Sequence, residues 1–240
     1  MSKPKKSYGL FVAGRILRSL FVLLICVISA ALFWRVFLSG RLPKEMRRVA
    51  PNEVLHASAG ADGSLSAFTQ KQSTATRGEN NYGYFSVPRF VILPEAGQVQ
   101  VVFRYNNSTL RATKEDFQLD AVPEKGAEVY DVSLLLLRDL TPENKEDNQD
   151  GSDTLEKVRI APTSKAVATT GLYTYFLYTF DGVTLENVPV IYFDIYFPNG
   201  EPVDYSKDPY GTLRIYHEES ERIAVSLSSA EKKAIADFAP

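Results

Sequence analysis

The chain has 240 residues, 45% of them hydrophobic and 12% aromatic, enough for one folded domain with a genuine core beside a further short segment. Its net charge of −2 hides a split: of 27 basic and 29 acidic residues, ten and one fall within residues 1–48, which leaves 17 against 28 beyond. That acidic remainder excludes a phosphate-tracking basic stripe, and with it nucleic-acid binding. The single cysteine, Cys26, excludes an intrachain disulfide and a thiolate metal site.

Residues 1–18 form a basic N-terminal segment, expected to lie in the cytoplasm. Residues 19–38 are the expected transmembrane helix. Ser19 to Trp34 carries no charge, and Val36, Phe37 and Leu38 extend the run past Arg35. Nineteen residues, Leu20 to Leu38, make a helix of roughly 28 Å, close to the hydrocarbon thickness of a bilayer. Arg18 and Arg35 can snorkel to opposite headgroup layers, and Trp34 sits where an interfacial aromatic would. Ser29 and Ala31 have the small-residue spacing of a signal-peptide cleavage site, but the apolar run continues past them. The reading is therefore a signal anchor, in a single-pass protein of the cell membrane. The short basic segment before the span favours an inside N-terminus and an outside C-terminal domain, although basic residues also follow the span.

Residues 39–81 read as a juxtamembrane segment and stalk. Its first part, RLPKEMRRVAPNEVLH, is a basic flank containing His56; the Ala/Ser/Thr/Gly-rich part after it has the composition of a flexible linker, with Leu65 and Phe68 able to form a short strand.

Residues 82–240 are the expected β domain. Val99, Val101, Phe103 and Tyr105 alternate with Gln100, Val102 and Arg104, the period of a half-buried strand. Further strands are expected over 82–87, 89–93, 128–138, 172–180, 190–197, 211–217 and 222–227, with turns at Pro94–Gly97, Asp181-Gly182 and Pro198–Gly200. Ser228 to Glu231 has the spacing of a capping box opening a short C-terminal helix. Seven to nine strands without alternating long helices predict an antiparallel β-sandwich. The immunoglobulin-type Cys…Trp…Cys spacing is absent, so the pattern gives an architecture and not a family.

Chemistry-bearing patterns are sparse. His56 and His217 are the two histidines, and no nucleophile elbow, zinc-helix or phosphate-loop sequence accompanies them. The expectation is a protein that is not an enzyme and needs no cofactor. The acidic stretch from Asp139 to Glu156 places Glu146, Asn148 and Asp150 at calcium-loop spacing before Gly151, but Lys157 stands where a bidentate glutamate belongs, which leaves a solvated loop as the better reading. Tyr173 and Tyr175 share one face of their strand; Tyr192 and Tyr196 share one face of theirs with Asp194. Side by side and exposed, these four tyrosines would make a platform for a glycan or peptide; otherwise they are ordinary cross-strand packing. Asn106 to Thr109 holds overlapping glycosylation sequons. The expected partners are the lipid bilayer and a protein at the membrane or envelope.

Overall fold

The structure is a computed structural model that describes residues 8–34, 41–70, 75–77, 85–116, 118–139, 155–185, 190–197, 201–216 and 222–239. The chain divides into two compact units, Met1–Arg41 and Leu42–Pro240.

The described residues of the first unit form the helix α1 (Tyr8–Phe33). Its stretch Val12–Phe33 has a mean hydropathy of 2.6, is long and apolar enough to cross a membrane, and is not buried by protein anywhere along its length. The helix starts well before the expected residue 19, because a helical backbone needs only its own hydrogen bonds and good helix formers, which continue through Arg15 and Arg18. Arg18 therefore lies inside the helix, and Trp34 follows its end, exposed. Arg35 and the expected span beyond it fall outside the described residues.

The second unit is the predicted antiparallel sandwich. Its strands are β1 (Phe68–Gln70), β2 (Ala75–Arg77), β3 (Phe85–Leu93), β4 (Gln98–Asn106), β5 (Asp131–Asp139), β6 (Leu155–Ile160), β7 (Ser164–Thr169), β8 (Tyr173–Phe180), β9 (Val190–Tyr196), β10 (Gly211–Tyr216) and β11 (Arg222–Ala224). A six-stranded sheet runs β11-β1-β3-β4-β8-β7, and a five-stranded sheet runs β2-β10-β9-β5-β6. Among the described residues three α-helices complete the unit: α2 (Glu53–Ser58), α3 (Leu110–Asp116) and α4 (Ser229–Ala236). Between the sheets, Val99, Val101, Phe103 and Tyr105 of β4 and Phe176, Tyr178 and Phe180 of β8 meet Leu134, Leu136, Ile191, Phe193 and Ile195. The rings of Phe85, Phe103, Tyr130 and Tyr210 pack with centroids 5.5–6.0 Å apart, in the offset and edge-on geometries aromatic quadrupoles favour. Gly97 closes the β3–β4 turn at φ 55°, a left-handed conformation that glycine adopts without strain.

The described part of the expected stalk is packed into this unit, its first stretch as a third layer. Residues 42–58 run across the outer face of the six-stranded sheet as a strap. Met46 packs on Val102, Tyr175 and Leu177, while Val49 and Leu55 join Val91, Leu93, Leu227 and Ile235 of α4. Residues 60–70 follow as part of the same unit, with Ala67 and Phe68 buried and β1 paired to β3 and β11. Composition alone misled here: small residues fit a flexible linker, and they equally fit a backbone held close to its neighbours. Gly63 shows the second case, because a Cβ there would stand 1.9 Å from the Lys232 carbonyl oxygen. His56, expected ahead of the folded part, donates from Nδ1 to the Ile235 carbonyl at 2.8 Å.

Two glutamines hold the strap. Gln98 and Gln100 point outward from β4 yet are fully buried. The Ala50 N–H donates to Gln100 Oε1 at 2.8 Å, and Gln100 Nε2 donates back to the Ala50 carbonyl at 2.8 Å and to Gln98 Oε1 at 2.7 Å. Gln98 Nε2 donates to Asp181 and to Asn52, whose side chain also caps α2 by accepting from the Leu55 N–H. At the other end of the layer, Glu231 completes the predicted capping box with Ser228 and accepts from the Val49 N–H at 2.8 Å. Partial burial pushes the Glu231 carboxyl up, but the bonds from Ser228 and Val49, with Arg89 nearby, outweigh it and hold the group below its ordinary value.

Two outcomes are expected. Gln100→Leu strands the Ala50 N–H and carbonyl in an apolar contact and lowers unfolding free energy by about 2 kcal/mol, measurable as a lower urea midpoint. Glu231 contributes stability in full above its unfolded value of about 4.5 and loses it as pH falls through the lower folded value; Glu231→Gln flattens that part of the acid-melting profile.

Candidate functional site

The outer face of the five-stranded sheet carries a polar chain across four strands. Leu135 of β5 stands between Arg159 of β6 and Tyr192 of β9 in the register, so an Arg159 side chain lying over β5 reaches β9. Its guanidinium donates to Ser133 Oγ at 2.7 Å and to the Tyr196 hydroxyl at 3.0 Å, and lies 3.2 Å from Asp194 Oδ2. Thr212 of β10 donates to the other Asp194 oxygen at 3.2 Å. The 201–210 segment folds Tyr205 over this chain. Its ring meets Tyr196 edge-on at 5.2 Å and lies 4.8 Å from the guanidinium carbon, and its hydroxyl donates to Asp131. Burial pushes the Asp194 carboxyl up, and the Arg159 charge only partly offsets it.

A cavity of about 650 Å³ opens beside this cluster, between the start of β5, the start of β7 and residues 201–203. Glu128, Asp131 and Glu201 bring three carboxylates to its wall against the single ammonium of Lys165, with Thr163 and Ser164 adding hydroxyls. Lys165 is ion-paired with Glu128, which also accepts from the Tyr178 hydroxyl. Burial raises the Asp131 carboxyl; the bond from Tyr205 opposes the rise and the Glu128 charge adds to it. Burial, together with Glu128 and Asp131, pushes the Tyr178 hydroxyl far above its ordinary value, so it stays a neutral donor. No group of three or more His, Cys, Asp or Glu side chains with metal-holding geometry occurs among the described residues.

The four tyrosines do not form one platform. Tyr173 and Tyr175 stand on the six-stranded sheet, their rings edge-on at 6.0 Å, while Tyr192 and Tyr196 stand on the other. Tyr175 is fully buried under Met46 of the strap, and Tyr196 is covered by Tyr205 and Arg159. Tyr173 keeps a half-buried ring under the Arg104 guanidinium, and Tyr192 is half-buried. Period-two alternation assigns a side chain to a face, but not a strand to a sheet. The calcium-spaced Glu146, Asn148 and Asp150, and His217, lie outside the described residues. The sequon residue Asn107 is buried, its amide donating to the Thr170 carbonyl and its carbonyl accepting from Thr174. Sequence reading missed Arg159, because β6 and β7 show no apolar alternation. Its signal was its position in a short charged strand next to a strongly apolar one.

Comparison with protein-family models, curated proteins and solved structures finds no match for this chain. Fold and site define its class: a sandwich-like β domain preceded by one long apolar N-terminal helix of the kind that serves as a signal or an anchor.

Asp194→Ala leaves the Arg159 guanidinium without its carboxylate on a largely buried face. A loss of about 3 kcal/mol in unfolding free energy is expected, against less than about 1 kcal/mol for the exposed Lys207–Asp204 pair, by parallel urea titrations.

Proposed function

We propose that this chain is a single-pass membrane protein whose β domain stands on the extracytoplasmic side and acts by binding a partner rather than by catalysis. The observation that carries this reading is the helix stretch Val12–Phe33, exposed along its length and apolar apart from Arg15, Arg18 and a few small polar residues. Such a surface is stable in lipid and prone to aggregate in water. The five basic residues Lys3, Lys5, Lys6, Arg15 and Arg18, with no acid among them, favour retention of the N-terminus in the cytoplasm. Anchoring confines the domain to two dimensions and raises its effective concentration toward neighbours in the same membrane.

Binding is preferred to turnover because the cavity groups hold one another. Glu128 is engaged by Lys165 and Tyr178, and Asp131 by Tyr205, so neither forms a base–nucleophile pair. Three carboxylates against one ammonium make the cavity hostile to phosphate and carboxylate ligands. A glycan- or peptide-binding tyrosine face is the weaker reading, since Tyr175 and Tyr196 are covered.

The test is a topology measurement. Cys26 lies in α1, so a Cys26→Ser chain is a thiol-free blank, and Ser226→Cys adds one thiol at an exposed position of the domain. Labelling of Ser226→Cys by an impermeant maleimide on intact cells is the expected result. Labelling only after lysis would place the domain in the cytoplasm and overturn the reading.

A further inference from the structure

Among the described residues the sandwich has four strand edges, and three are blunted. β11 and β2 are three residues long. β6 carries Glu156, Lys157 and Arg159 within six residues. Short and charged edges are the common defences against pairing with another chain. β7 has neither. Its six residues, SKAVAT, contain no proline, no glycine and one charge, and that Lys165 ammonium is turned to Glu128. Ser164 to Val167 are all exposed, and Val167 is one of the few large apolar side chains of the β domain left in water, at 55% exposure.

The ladder fixes which groups β7 presents. The Thr170 N–H donates to the Tyr173 carbonyl at 2.8 Å, so the pair that closes the β7–β8 hairpin is a hydrogen-bonded one. Alternation along an antiparallel ladder then turns Ser164, Ala166 and Ala168 toward β8, and turns the N–H and carbonyl groups of Lys165, Val167 and Thr169 away from the sheet. No hydrogen bond within the described residues reaches those outward groups.

We propose that β7 pairs antiparallel with β7 of a second copy of this chain, about a two-fold axis at Val167, joining the two six-stranded sheets into one. The sequence is self-complementary in that register. Val167 opposes Val167, Lys165 opposes Thr169, and Ala166 opposes Ala168. The outward groups of each strand meet their equivalents in about six backbone hydrogen bonds. The two lysines stand at opposite ends, each beside a threonine, so no like charges face each other. The two valines cover one another, and the small alanines on the other face let the strands approach. A strand-wide contact is weak in dilute solution, and co-anchoring in one bilayer, as proposed above, raises its occupancy. The pairing itself holds for either orientation of the domain, so the topology result and this one fail independently.

The full chain carrying Cys26→Ser tests it in phosphatidylcholine vesicles. Opposed residues of a hydrogen-bonded pair stand about 5.5 Å apart at Cα, within disulfide reach. Under mild oxidation Val167→Cys should become mainly a disulfide-linked dimer, while Ile223→Cys, comparably exposed on the short edge β11, should stay monomeric. Energy transfer between donor- and acceptor-labelled Ser226→Cys chains should be lost with Val167→Lys, which sets two ammonium groups across the axis, and with Val167→Pro, which removes an outward N–H and no bond to β8. Circular dichroism should be unchanged for Val167→Lys, whose side chain remains in water. The proposal is overturned if Val167→Cys links no better than Ile223→Cys, or if energy transfer survives Val167→Lys. Linkage in native membranes to a different protein, with none to a second copy, also overturns it.

Discussion

The organisation of the β domain depends on the two glutamine side chains that β4 turns away from the core. A sheet face exposed to water would leave their amides solvated and undemanding. Here that face is covered, so each amide needs a partner of its own. Gln100 takes both backbone groups of Ala50, and Gln98 takes Asn52 and Asp181. These bonds give the strap one register on the sheet, which apolar contacts from Met46, Val49 and Leu55 could not specify alone. Once the strap is seated, Val49 offers its N–H to Glu231, and α4 docks beside it.

Much of the fold was legible because it depends on local periodicity. The alternation of Val99, Val101, Phe103 and Tyr105 did mark the core face of β4, and the Ser228–Glu231 spacing did mark the start of α4. Readings that depended on distant chain failed. Gln100 looked like a solvent-facing residue because nothing local reveals that residues some fifty positions earlier lie over it. The basic segment 41–56 looked like a membrane flank because Arg41, Lys44, Arg47 and Arg48 crowd its first half, yet Met46, Val49 and Leu55 do the packing. β7 left no pattern at all, since a strand exposed on both faces has no reason to alternate.

The candidate site shows the same limit. The shared face of Tyr192, Asp194 and Tyr196 was readable, but its meaning changed once Arg159 reached it across β5 and Tyr205 closed over it. What looked like an aromatic surface is instead a compact cation–aromatic cluster that ties the 201–210 segment to the sheet. The neighbouring cavity draws its carboxylates from three separate segments, at Glu128, Asp131 and Glu201, and no sequence motif joins them.

The bond between Val49 and Glu231 links positions 182 residues apart. At ribosomal rates of about 5–20 residues per second, roughly ten to forty seconds separate the synthesis of one partner from that of the other. Through that interval the strap has no α4 to pack against, and Val49 and Leu55 lack part of their cover. α4, made long after the strap, thus completes the strap's cover. A ribosome that stops before residue 229 releases a chain whose strap lacks its α4 cover, which leaves Val49 and Leu55 more open to water and to proteases.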